Sequence, residues 1–260
     1  MSVGKAFCVR SLSKEQRSFC SRVISSDAFA ALILDKLARK KGASVLRMAD
    51  GEKALIDAYK GLPLRPFLKD EAWLKKYGLA GIDLTSVGET LLEAGMTADY
   101  LAPAITGVFR PNYAIYQHFL ERRNFVDQFY LIYWHATGVF ATILRGASVA
   151  VVHRNAGTMA ASLQSKYALT SPIECITVDS WRDHANVEQQ VKQAKARLVL
   201  VSAGPTGKAM IVRMARARPD QVVLDVGGAM EHTLASTSPK SQVMTARMTK
   251  YVTAQQNPQP

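Results

Sequence analysis

Leu198-Val199-Leu200-Val201-Ser202-Ala203-Gly204-Pro205-Thr206-Gly207-Lys208 is the stretch whose reading decides the fold. The run Leu198 to Val201 is continuously apolar, as a strand buried on both faces requires. Gly204-Pro205-Thr206 then opens a helix to about Arg216, with proline near the first helical position, where its missing N–H costs nothing. Upstream, Val149-Ala150-Val151-Val152 is a second such run and Ile173 to Val178 a third strand. Asp183 caps a helix that carries Val187, Val191 and Ala194 on one face. Downstream, Val222-Val223-Leu224 leads into Asp225-Val226-Gly227-Gly228. Strands alternating with helices predict the α/β class: a Rossmann-like, doubly wound, mostly parallel sheet with flanking helices. Ligands of such sheets bind beyond the carboxyl ends of the strands.

The earlier half fits the same plan. Ser26 or Asp27 caps a helix with Phe29, Leu32, Ile33 and Leu37 at helical spacing, and Gly42 ends it. A short strand, Ser44 to Met48, runs directly into Ala49-Asp50-Gly51-Glu52, after which Lys53 to Lys60 reads as a helix. Asp70 to Tyr77 and Thr85 to Ala94 read as further helices and Ile105 to Phe109 as a strand. The aromatic-rich segments Asn112 to Arg123 and Val126 to Leu144 also read as helical. Their rings could stack on bases beside Arg122 and Arg123, but a core helix face explains most of them. The expected organisation is a basic lead-in over 1–25, one α/β domain over 26–235 and a polar tail over 236–260.

Composition narrows the setting. The chain has 260 residues, 48% of them hydrophobic and 21% charged, the balance of a globular protein. No apolar run approaches the ~20 residues of a spanning helix. Lys5, Arg10, Lys14, Arg17 and Arg22 interrupt the N-terminus, so it is not expected to act as a secretory signal. Three cysteines without a CxxC pair suit a reducing compartment, so the expected location is cytoplasmic, the host cytoplasm if the protein is viral. No compact Cys/His set suggests zinc. The excess of 33 basic over 21 acidic residues, a formal +12, points to a polyanionic partner such as nucleic acid.

Four segments could carry chemistry. Asp50 and Glu52, separated by Gly51, can converge on a hard cation, and Arg47 can pair with a phosphate. The turn Gly204-Pro205-Thr206 opens the helix, and the free amides of Gly204 and Thr206 can face an anion. The Gly207-Lys208 pair is not a P-loop: counting back five from Gly207 gives Ser202, and Ala209 stands where a hydroxyl residue belongs. Asp225, Glu231 and His232 form a candidate acid/base cluster at a strand end. In Arg110-Pro111-Asn112-Tyr113, Arg110 can clamp a diphosphate and Tyr113 can stack on a base or sugar.

In this order the elements resemble the GT-D-type glycosyltransferases. That family shows an Arg-x-Gly-Asp-Gly-Glu motif, then Arg-Pro, a Gly-Pro-Thr turn and an Asp-x-Gly-His-like segment. Here the matches are Arg47 with Asp50-Gly51-Glu52, Arg110-Pro111, Gly204-Pro205-Thr206 and Asp225-Val226-Gly227. The sequence departs from the pattern at Ala49, where the family often has Gly, and at Gly228, where a His is common. His232 is the nearest substitute.

The resemblance implies a Rossmann-like fold that binds a nucleoside-diphosphate sugar, such as a UDP-sugar, with Mn²⁺ or Mg²⁺ at Asp50 and Glu52. Arg47, Gly51, Arg110 and the Gly204–Thr206 turn would serve the diphosphate. The +12 charge directs the acceptor toward DNA bearing 5-hydroxymethylated pyrimidines, a phage-type modification. Bacterial glycoprotein or cell-surface glycan is the alternative acceptor. A non-catalytic nucleic-acid-binding module with a Rossmann-like core is the rival class. A dehydrogenase or methyltransferase is disfavoured because no G-x-G-x-x-G follows a strand.

Overall fold

Backbone pairing joins eight strands into one parallel sheet in the computed structural model, which describes residues 22–103, 118–119 and 124–230. In chain order they are β1 (Val23–Ile24), β2 (Ala43–Met48), β3 (Tyr100–Pro103), β4 (Phe125–Val126), β5 (Val149–His153), β6 (Glu174–Ile176), β7 (Leu198–Ser202) and β8 (Val222–Asp225). Across the sheet the order is β1-β4-β3-β2-β8-β7-β5-β6. The early strand β2 and the late strand β8 are therefore neighbours at its centre, with Val45 opposite Leu224.

The helices are α1 (Ser26–Ala38), α2 (Asp50–Tyr59), α3 (Glu71–Lys76), α4 (Leu84–Thr97), α5 (Tyr130–Ala136), α6 (Val139–Arg145), α7 (Ala156–Tyr167), α8 (His184–Gln193) and α9 (Gly204–Ala217). Alternate strand residues feed two separate cores. Leu46, Ala150, Val152, Val199, Val201 and Val223 pack with α2, α4, α8 and α9. Val45, Val149, Val151, Leu198, Leu200 and Leu224 pack with α1, α5, α6 and α7. This two-sided burial is why the central strands read as unbroken apolar runs.

The same division opens the site. After β2 and β7 the chain crosses to the first face, as α2 and α9; after β5 and β8 it crosses to the second. The loops part above the strand ends, which is where doubly wound sheets hold ligands. Gly88 seats α4 against α2 so closely that a Cβ there would stand 2.0 Å from the Leu55 carbonyl oxygen. Only glycine permits that approach, and it fixes the helix that starts at Asp50.

Several elements differ from the sequence expectations. Val126 to Leu144 is not one helix but the end of β4, then α5 and α6. Gly138, at φ 78°, turns the chain between the two helices. Tyr130 to Trp134 are all buried, so their sequence shows no polar face to mark the boundaries. Ser25, not Ser26 or Asp27, caps α1, accepting from the Ala28 amide. Helix α2 begins at Asp50, so the Asp-Gly-Glu triplet is its first turn and not a loop before it. The strand expected over Ile105 to Phe109 lies outside the described residues, and β3, slightly earlier in the chain, takes the place beside β2. Among the described residues no helix is long and apolar enough to cross a membrane.

Candidate functional site

Three adjacent strand ends each deliver one charged group to the same point. Glu52 comes from the first turn of α2 after β2, Asp225 from the end of β8, and Lys208 from α9 after β7. The Lys208 ammonium lies 3.3 Å from Glu52 Oε1 and 3.3 Å from Asp225 Oδ2. Lys208 is 7% exposed and Asp225 2%. Burial works against the Lys208 charge, but the Asp225 carboxylate and then Glu52 outweigh it and hold its pKa above the ordinary lysine value.

The remaining bonds lock this cluster. Glu52 Oε2 accepts from the Ala49 amide at 2.9 Å, closing the first turn of α2 on itself. Asp225 Oδ2 also accepts from the Arg47 amide at 3.0 Å. The Arg47 guanidinium donates to the Val226 carbonyl, and the Tyr130 hydroxyl donates to the Asp225 carbonyl at 2.7 Å. Gly227, at φ 46°, lets the backbone pass under Arg47; a Cβ there would stand 2.6 Å from its guanidinium nitrogen. The buried ammonium and both carboxylates thus face opposite charge, as burial demands.

A cavity of about 680 Å³ opens over this cluster, within the size of small-molecule sites. Arg47, Asp50, Gly51, Glu52, Gly204, Pro205, Thr206 and Lys208 line one side. Trp73 and Tyr77, their ring centroids 4.5 Å apart, form another. Trp73 lies against Gly51 and Tyr77 against Gly204: added Cβ atoms would meet these rings at 3.5 and 3.1 Å. Lys76 and Arg154 stand at the exposed rim, Arg154 3.6 Å from Asp179.

Three buried polar atoms on the lining have no hydrogen-bond partner among the described residues: Arg47 Nε, Thr206 Oγ1 and the acceptor Gln128 Oε1. Thr206 is only 2% exposed and sits in the first turn of α9, where amides also lack helical acceptors. Buried polar groups are normally satisfied, so donors left open on a cavity wall mark a place for acceptor oxygens.

The predicted site residues divide accordingly. Arg47, Asp50, Gly51, Glu52, Gly204, Pro205 and Thr206 share the cavity. Asp225 belongs to the cluster but does not line the cavity; its carboxylate holds Arg47 and Lys208. Arg110, Tyr113, Glu231 and His232 lie outside the described residues. Of the aromatic segment, Phe125, Phe129, Tyr130, Tyr133 and Trp134 are core, not a stacking surface. Sequence reasoning sets Lys208 aside together with the P-loop pattern. One signal was available: a lysine near a helix N-terminus opposes the dipole and calls for a carboxylate partner.

The metal implied for Asp50 and Glu52 meets a different donor set. Glu52 is turned inward to Lys208 and its own turn, whereas Asp50 is exposed on the cavity side. The two carboxylates do not converge, and the position between Glu52 and Asp225 holds an ammonium. Among the described residues no group of three His, Cys, Asp or Glu could hold a metal ion. The pair does not fit a two-carboxylate metal clamp.

Comparison with curated proteins and with solved structures finds no match. A family model described as a GT-D fold-like domain matches residues 24–233, from the end of β1 through the turn after β8. That span holds the described sheet apart from Val23, and every residue of the cavity wall. With its glycosyltransferase-like fold matched over that length, the chain belongs to the GT-D-like family.

Proposed function

We propose that the chain is a glycosyltransferase that holds a nucleoside-diphosphate sugar in this cavity and passes the sugar to an acceptor hydroxyl. The observation that carries the reading is the pair of open buried donors, Arg47 Nε and Thr206 Oγ1, beside the α9 N-terminus. Together they suit the oxygens of a diphosphate, which accept several hydrogen bonds and carry charge. In the transfer, the acceptor oxygen bonds to the anomeric carbon and releases its proton to solvent, while the bond from that carbon to the diphosphate breaks and its electron pair leaves with the diphosphate. Arg47 and the α9 amides are placed to stabilise that developing charge. Trp73 and Tyr77 offer an apolar wall for the base or the sugar.

The favoured acceptor is a 5-hydroxymethylated pyrimidine in DNA. Support comes from the +12 charge and from Lys76 and Arg154 at the cavity rim. The base would have to leave the stack to enter the cavity. No step is routed through a divalent metal, because Asp50 and Glu52 do not converge.

Two measurements test the reading. Nucleoside-diphosphate sugars are screened for thermal stabilisation, where the cognate donor raises the melting temperature by mass action. Sugar transfer is then followed to hydroxymethylated and unmodified duplexes. The DNA reading expects transfer to the modified duplex only, weakening steeply with salt. Equal transfer to both duplexes, or transfer to a glycan alone, sinks the DNA acceptor. Stabilisation by no nucleotide sugar sinks the donor site itself.

A further inference from the structure

We infer that Lys208 stands where a divalent cation would otherwise stand, and that the donor diphosphate is held here by a lysine ammonium without a metal. The inference rests on the donor-site reading above. Its basis is the geometry of the buried Glu52, Lys208 and Asp225 with the half-buried Arg47 beside them.

Lys208 Nζ is 3.3 Å from a carboxylate oxygen on either side, one from Glu52 and one from Asp225. A cation between two carboxylates from neighbouring strand ends is the arrangement a hard metal ion adopts; here the chain supplies the cation itself. A divalent ion entering between Glu52 and Asp225 would meet the Lys208 ammonium and the Arg47 guanidinium at close range in a buried setting, where like charges repel strongly. Glu52 cannot readily turn away to bind an ion elsewhere, because its second oxygen holds the Ala49 amide at 2.9 Å.

Lys208 can still reach a ligand. An ammonium has three N–H donors, and the two carboxylates account for two. Lys208 lines the cavity beside Thr206, whose hydroxyl is open, and beside Arg47, whose Nε is open. These three groups, from β2 and α9, form one donor surface for phosphate oxygens. Glu52 and Asp225 are positioning residues on this account: they hold the ammonium in place and charged.

The test uses the full chain and titration calorimetry with inorganic pyrophosphate and UDP, in EDTA and in excess Mn²⁺. The expected result is an affinity that differs by no more than about threefold between the two conditions, and a loss of about tenfold or more in Lys208→Met, the scale of one charge-assisted bond. A second arm reads Mn²⁺ alone. Lys208→Ala leaves Glu52 and Asp225 facing each other, so Mn²⁺ should raise its melting temperature but not that of the unaltered chain. Adding Glu52→Gln to Lys208→Ala should remove that response. Binding by the unaltered chain that falls tenfold or more in EDTA overturns the inference and leaves the donor site standing. So does Lys208→Met binding as tightly as the unaltered chain. Failure to bind either probe in both conditions overturns the donor site as well. The EDTA comparison needs no substitution, so it decides the matter even if the Lys208 variants do not fold.

Discussion

Glu52 and Lys53 are neighbours on α2, yet they belong to two charge clusters of opposite character. Glu52 faces the strand ends and joins Lys208, Asp225 and Arg47 in a group drawn from β2, β8 and α9. Lys53 pairs with Asp57 one turn along the same helix, with His118 Nε2 3.6 Å from Asp57 Oδ1 and Lys60 Nζ 2.9 Å from His118 Nδ1. The second cluster is local in sequence apart from His118. Its lysines keep a path to solvent, with 16% of the Lys53 side chain exposed. In the first, both Lys208 and Asp225 are buried and their partners come from distant parts of the chain. Arg47, Glu52 and Lys208 of the first cluster line the cavity, whereas the second cluster lies away from it, and its His118 Nε2, unbonded among the described residues, faces Asp57 at 3.6 Å. A buried charge cluster marks a site when it sits where loops part and when polar atoms beside it lack partners.

Removing one carboxylate from each cluster gives the largest contrast. Asp225→Ala strands the buried Lys208 ammonium and should cost about 3–5 kcal/mol in urea unfolding, with pyrophosphate binding lost. Asp57→Ala leaves Lys53 able to reach water and should cost about 1–2 kcal/mol, with pyrophosphate binding retained. Equal losses of stability would break the comparison.

A smaller effect sharpens it. Thr206→Val keeps the shape of the side chain and removes an oxygen that has no partner among the described residues. Stability should stay within about 0.5 kcal/mol, because no internal bond is lost. Pyrophosphate affinity should fall about fivefold, close to 1 kcal/mol, for one hydrogen bond. Unchanged calorimetric affinity would show that the hydroxyl is not part of an anion site.

The smallest effect is in pH. Burial first, then Lys60, lower the His118 pKa below its ordinary value, against the pull of Asp57. The unfolded chain therefore takes up the proton before the folded one does. Stability falls as the pH drops below about 6.5, the value in the unfolded chain, and the loss ends once the folded histidine is also protonated. The urea midpoint should decline between neutral pH and mild acid, and His118→Gln should flatten part of that decline. Lys208, whose pKa is raised, stays charged throughout this range.

Much of this was legible in the sequence. The two-sided strands β5, β7 and β8 appear as unbroken apolar runs because both of their faces are buried, and Pro205 after Gly204 marks the start of α9. The triplet Asp50-Gly51-Glu52 and the turn Gly204-Pro205-Thr206 meet at one cavity, as strand-end positions require. The break at Gly138 was not legible, because Tyr130 to Trp134 before it are buried on every side and leave no polar periodicity. Nor was the inward turn of Glu52. Asp50 and Glu52 are two residues apart in a first helical turn, which points them in different directions, whereas a loop would have let them converge.

The sequence by itself determined the alternation of strands and helices from β5 to β8, the class of sheet and the strand ends at which the cavity lies, since these follow from local burial patterns and backbone chemistry. Only the tertiary structure decided which charges meet. Lys208 lies 156 residues beyond Glu52 by number and 17 before Asp225, and nothing local to any of them predicts a shared point. They meet because β2, β8 and β7 are adjacent in the sheet, an outcome of long-range packing. That adjacency places an ammonium between two carboxylates, and it changes the reading of the Asp-Gly-Glu turn from a metal clamp to one half of an ion pair.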